Sequence, residues 1–86
     1  MISAKMLAPS PAVRQEVVDI FGDVFQHDGP ITWNTSPLDI PRWDSLQHLA
    51  LIRAIEATYS ISLSMDEMAE IRSAGDVEAV LSRYGM

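Results

Sequence analysis

Apolar residues recur at helical spacing in several stretches of the chain, separated by residues that stop helices. Val13, Val17, Ile20, Phe21 and Val24 follow one another at intervals of four, three, one and three, which gathers them on one helical face. Ser10 can cap that helix, and Pro11 is tolerated at its first position because the missing N–H would lack a partner anyway. The predicted span is about 11–26. From His27 to Trp43 the period disappears, and Gly29, Pro30, Asn34, Pro37 and Pro41 supply helix breakers. A connection this long in a small domain is functional or carries structure of its own. Ile31, Trp33, Leu38 and Ile40 predict that it packs onto the core, and Pro41 biases Ile40 toward an extended approach to Trp43.

A second helix opens at Asp44-Ser45-Leu46-Gln47, with Asp44 as cap and Gln47 placed to reach back in a variant of the capping box. Leu46, Leu49, Leu51, Ile52 and Ile55 cover more than one narrow stripe. They predict a helix that touches several neighbours and runs to about Ala57. Tyr59, Ile61 and Leu63 then alternate with Ser60, Ser62 and Ser64 over too few residues for a sheet, which predicts an extended connector with alternate side chains turned inward. Ser64-Met65-Asp66-Glu67 is a capping box for a short third helix carrying Met65, Met68 and Ile71. Ser73-Ala74-Gly75-Asp76 opens a fourth, where Val77, Val80, Leu81 and Tyr84 share a face and Gly85 can end the helix in a left-handed conformation. The predicted fold is all-α, a four-helix bundle with a long loop between helices 1 and 2 and a short third helix.

A length of 86 residues fits a single domain over 1–86, with 1–9 expected as a flexible N-terminus. Hydrophobic residues at 48% and charged residues at 21% are too apolar for disorder. The longest uncharged run, Gly29 to Leu38, contains Pro30 and Pro37 and falls short of the roughly 20 apolar residues of a membrane helix. A net charge of −6 repels phosphate backbones and anionic headgroups, so neither nucleic acid nor membrane is an expected partner, whereas basic protein surfaces are. The chain has no cysteine, hence no disulfide and no protein thiol. Met1 to Ala8 lacks an apolar core of signal-peptide length, so a cytoplasmic location is expected, and the domain is expected to be a monomer.

His27 and His48 have no further His or Cys at ligand spacing, so no metal site is assigned. Ser45 and His48 stand three apart on one helix face, but without a glycine-rich elbow or an oxyanion hole a hydrolase is a poor reading, and no catalytic residue is assigned. Asp66, Glu67, Glu70, Asp76 and Glu78 crowd the starts of the last two helices, where acids favour the helix dipole by a few tenths to about 1 kcal/mol. Met65 and Met68 read first as core filling.

Trp43-Asp44-Ser45-Leu46, at the end of the long loop, resembles the Asp-Ser-Leu motif of the acyl carrier proteins. The resemblance extends over about 11–84. It takes in Leu49, Leu51, Ile55 and Glu56 of the second helix, Tyr59-x-Ile61-x-Leu63, the short acidic third helix, and Ser73-Ala74-Gly75-Asp76-Val77. Ile40-Pro41-Arg42-Trp43 looks like the approach found in free-standing carriers of specialised pathways rather than the glycine-containing one of fatty-acid synthesis.

The resemblance implies that Ser45 receives 4′-phosphopantetheine from coenzyme A, that Asp44 helps present it to the transferase, and that Leu46 is a recognition contact for partner enzymes. The implied partners are a phosphopantetheinyl transferase, an acyl or aminoacyl ligase or acyltransferase, and downstream tailoring enzymes. Leu51, Ile55, Met65 and Met68 are candidates for a pocket that holds an apolar cargo. The competing reading is an unmodified helical interaction domain in which Ser45 only caps a helix. The sequence departs from fatty-acid carriers after the serine, where Gln47, His48, Ala50 and Arg53 replace the usual acids.

Overall fold

In the computed structural model, which describes residues 12–86, the first apolar stripe forms α1, Gln15–Phe25, and buries Val17, Ile20, Phe21 and Phe25. The helix starts later than the predicted 11. Arg14 is its N-cap residue, extended at φ −66 and ψ 151, with no side-chain cap. Its amide donates instead to Glu78 Oε2 at 2.8 Å, so a tie to the last helix holds residue 14 out of the helical ladder. Val13 packs on the core from this non-helical segment, and Phe25, not Val24, fills the last buried position. Ser10, Pro11 and the expected flexible 1–9 lie outside the described residues.

The long connection is ordered by a succession of turns. Thr32 N–H donates to Thr35 Oγ1 and Thr35 N–H to the Thr32 carbonyl; Ser36 N–H donates to Asp39 Oδ2 and Asp39 N–H to the Ser36 carbonyl; Trp43 N–H donates to the Ile40 carbonyl. These reciprocal bonds satisfy backbone groups that helix or sheet would otherwise pair. Ile40 and Trp43 enter the core, Ile31 is partly buried, and Leu38, expected inside, is 96% exposed. It sits in the turn that Ser36 and Asp39 close, which points it outward.

The second helix, α2, spans Ser45–Tyr59 and passes the expected end at Ala57. Leu51, Ile52 and Ile55 are buried against the core, but Leu46 and Leu49 are 75% and 51% exposed, so the breadth of its apolar face reflects an unpartnered surface. Ser60 ends it in a left-handed conformation at φ 54. The connector turns Ile61 and Leu63 inward and Ser62 and Ser64 outward as predicted, and Glu56 Oε2 accepts from Leu63 N–H at 2.8 Å.

The short third helix, α3, is Met65–Glu70, and both halves of its capping box form between Ser64 and Glu67. No residue of α3 is fully buried, and Ile71, predicted within it, is its C-cap residue and a core side chain. The fourth helix, α4, is Ala74–Arg83, burying Val77, Val80 and Leu81, with Gly85 at φ +79 beyond it. Its first amides are capped from a distance. Ala74 N–H donates to the Thr35 carbonyl at 2.9 Å and Gly75 N–H to the Trp33 carbonyl at 2.8 Å. A Cβ at Gly75 would lie 2.3 Å from Trp33 Nε1, so the indole requires glycine there for space.

Glu78, expected as a face charge, is buried and paired. Its carboxylate takes the Arg14 amide, Arg14 Nε at 3.0 Å and an Arg14 terminal nitrogen at 2.9 Å. The hydrogen bond to Glu78 raises the Arg14 pKa, opposed by partial burial. Among the described residues there is no strand, and no helix is long and apolar enough to cross a membrane.

Candidate functional site at the start of the second helix

The approach to Ser45 is built from the core outward. Trp43 sits against Phe21 and Phe25, with ring centroids 5.3 and 5.2 Å apart and an edge-on geometry to Phe21. This aromatic cluster fixes one end of the segment. One residue later, Asp44 is exposed, extended at φ −108, and its Oδ1 accepts from Gln47 N–H at 2.9 Å. The expected return bond from the Gln47 side chain is absent, because Asp44 N–H is already satisfied by the Arg42 carbonyl at 3.0 Å.

Ser45 is therefore the first residue of α2, exposed, and among the described residues its hydroxyl makes no hydrogen bond. The amides of Ser45 and Leu46 likewise have no protein acceptor. Unpaired donors at a helix N-terminus favour an anionic group at this end. His48, the base a hydrolase would need, is committed elsewhere.

His48 is where the sequence reading missed a structural role. Trp43 Nε1–H donates to His48 Nδ1 at 3.0 Å, and His48 Nε2 lies 2.9 Å from the Met68 carbonyl oxygen on α3. An indole nitrogen only donates and a carbonyl only accepts, so both bonds are satisfied together by the tautomer that carries its proton at Nε2. The indole and imidazole planes differ by 13°. The only sequence signal was the spacing of five from Trp43 to His48, which crosses a helix start and follows no helical period.

Leu46 projects into solvent beside Ser45, and Leu49 and Arg53 are exposed farther along α2. The four proposed cargo residues are not equivalent. Leu51 and Ile55 are within the core, Met68 is half-buried against it, and Met65 is 81% exposed. Three of them lie in or against the core, and Met65 stands outside it.

A family model described as phosphopantetheine attachment site matches residues 15–81, a span that contains Ser45 and runs from the start of α1 into α4. Two solved structures share the fold. One is a Mycobacterium tuberculosis protein assigned as an acyl carrier protein, at 25% identity over 85% of this chain and 99% of that one, with a TM-score of 0.76. The other is the solution structure of a holo acyl carrier protein from Geobacter metallireducens, at 36% identity over 79% of this chain and 84% of that one, with a TM-score of 0.67. No curated protein matches the chain in sequence.

Proposed function

The chain belongs to the acyl carrier protein family, and on that premise we propose that it carries acyl or aminoacyl groups as thioesters on 4′-phosphopantetheine attached to Ser45, in a specialised biosynthetic pathway. The observation that carries this reading is the exposed Ser45 hydroxyl at the first turn of α2, which among the described residues has no partner and stands beside two backbone amides without acceptors. A phosphate placed there meets hydrogen-bond donors and the positive end of the helix dipole. When bound, the group supplies a thiol, which a chain without cysteine otherwise lacks.

The chain's own residues have the simpler task of presentation. Asp44 holds the helix start through Gln47 N–H and leaves its second oxygen toward solvent, available to the transferase. Leu46, exposed one residue after the attachment point, is the recognition contact for that transferase, for a loading ligase or acyltransferase, and for downstream enzymes. Leu51, Ile55, Met65 and Met68 serve an apolar cargo if α3 parts from α2, an element with no fully buried residue and therefore cheap to displace.

The test is intact-mass measurement after incubation with coenzyme A and a broad-specificity transferase. One phosphopantetheinyl group is expected, and Ser45→Ala should abolish the gain with the helical circular dichroism unchanged, because Asp44 still caps. A wild-type chain that stays unmodified with several competent transferases would favour an unmodified interaction domain. Comparing amide exchange of holo and acylated forms then addresses the cargo. No difference around Leu51, Ile55, Met65 and Met68 with a medium-length acyl chain would leave the cargo in solvent.

A further inference from the structure

Trp43 is two residues before Ser45 and 94% buried, yet its indole N–H is paired not with core backbone but with a side chain from the next helix. That side chain, His48, also reaches α3. Among the described residues the contact between His48 Nε2 and the Met68 carbonyl is the one hydrogen bond between α2 and α3. We propose that His48 is a positioning residue whose neutral, Nε2-protonated ring ties the Ser45 approach to α3, and that protonation at Nδ1 breaks this tie. The consequence for Ser45 rests on the carrier reading above.

Hydrogen count decides whether the tie survives. With a proton on Nδ1 the imidazolium presents a donor to the indole N–H, which is itself a donor and cannot reverse. Nδ1 and Nε2 belong to one rigid ring, so the two bonds move together. Turning the ring away from the indole therefore also draws Nε2 from the Met68 carbonyl. Among the described residues no charged group is hydrogen-bonded to the ring. Arg42 and Asp44 in the approach, Arg53 on α2, and Asp66, Glu67 and Glu70 on α3 make no hydrogen bond to it, and α1 meets this region with Phe21 and Phe25. Glu67 is engaged with Ser64 and Tyr84, and Glu70 with Arg83.

The positional effect follows from how little else holds α3. Its six residues include none that is fully buried, and its remaining ties lead to Ser64, Tyr84 and Arg83 rather than to α2. Loss of the His48 tie leaves the indole N–H, still packed against Phe21 and Phe25, without its acceptor and releases α3 from its hydrogen bond to α2.

The experiment is a nitrogen-15 NMR titration of the full unmodified chain, following the His48 ring nitrogens, the Trp43 indole N–H and the amides of 65–70. At neutral pH, His48 Nδ1 should be the unprotonated nitrogen. As it protonates, the Trp43 indole resonance should move in step, its exchange should speed by about tenfold beyond the intrinsic pH dependence, and the α3 amides should lose protection. His48→Phe should remove this dependence and leave any step that follows His27. If the variant fails to fold, the wild-type ring nitrogens still decide the question. An Nδ1-protonated ring at neutral pH, or a Trp43 indole or an α3 unchanged as His48 protonates, overturns the proposal. None of these readouts requires modification at Ser45, so the intact-mass test can fail while the tie stands, or the reverse.

Discussion

Gly75 shows at the scale of one residue how space rather than conformation can dictate a choice. In most helices alanine in place of glycine gains about 1 kcal/mol of propensity. Here the added Cβ would meet three atoms of the Trp33 ring at 2.3 to 2.5 Å, while the Trp33 carbonyl is held by the Gly75 amide. Overpacking costs about 1–3 kcal/mol, so the expected net effect of Gly75→Ala is a loss of up to about 2 kcal/mol in urea unfolding. Trp33→Ala in that background should add little, because the ring will already have been displaced. Full additivity of the two changes would show that the ring and the glycine do not act together. The pair was only half legible in the sequence. Ser73-Ala74-Gly75-Asp76 reads as a helix cap, but nothing local says which distant ring lies on the glycine. The same limit hid the partner of Glu78, whose sequence position suits a dipole charge as well as a buried ion pair.

At the scale of elements, α3 was the most legible, because its capping box is local chemistry between Ser64 and Glu67 and needs no tertiary partner. The start of α1 was misread because Arg14 answers to Glu78 on α4, a contact absent from any short window. The same capping box makes a pH statement. The hydrogen bond from the Ser64 amide, then that from Tyr84, holds the Glu67 carboxyl below its usual range. A depressed folded-state pKa means that its contribution to α3 is present above the ordinary glutamate range and is lost as pH falls through the lowered value. Protection of the 65–70 amides should therefore decline on that acid limb. Glu67→Gln, which keeps an acceptor without the charge, should flatten the limb. A wild-type chain whose α3 protection is level across the carboxylate range would show that the box does not depend on ionised Glu67.

For the whole molecule, the distribution of charge matters more than its sum of −6. The acids of α2 are both engaged: Asp44 caps the helix, and Glu56 accepts from Leu63 N–H. The exposed surface after Ser45 is left to Leu46, Leu49, Ala50 and Arg53, and His48 is turned away toward Trp43 and Met68. We propose that this surface suits a dedicated partner with an apolar patch and a carboxylate opposite Arg53, and suits poorly the basic docking sites of fatty-acid enzymes. Charge of this kind acts mainly on encounter rate and partner choice. Arg53→Glu with Gln47→Asp should raise turnover of the holo chain by a fatty-acid synthase enzyme by about tenfold and slow loading by the cognate ligase. A wild-type holo chain that already serves fatty-acid enzymes as well as their own carrier does would refute the argument from charge placement.

The remote capping of α4 bears on how the chain reaches this state. Helical domains with mostly local contacts fold in microseconds to milliseconds. The first amides of α4, however, wait for carbonyls of Thr35 and Trp33, and Glu78 waits for Arg14, 64 residues away. Those bonds cannot form until the long loop has taken shape and the start of α1 has met α4, so α4 is expected to dock after the rate-limiting step. Glu78→Ala should then act chiefly on the unfolding limb of a stopped-flow denaturant series, accelerating unfolding while folding changes little. A mutant that instead folds more slowly by most of its lost stability would place α4 in the nucleus. On the expected outcome, the loop that presents Ser45 is also the step that paces the final closure of the molecule.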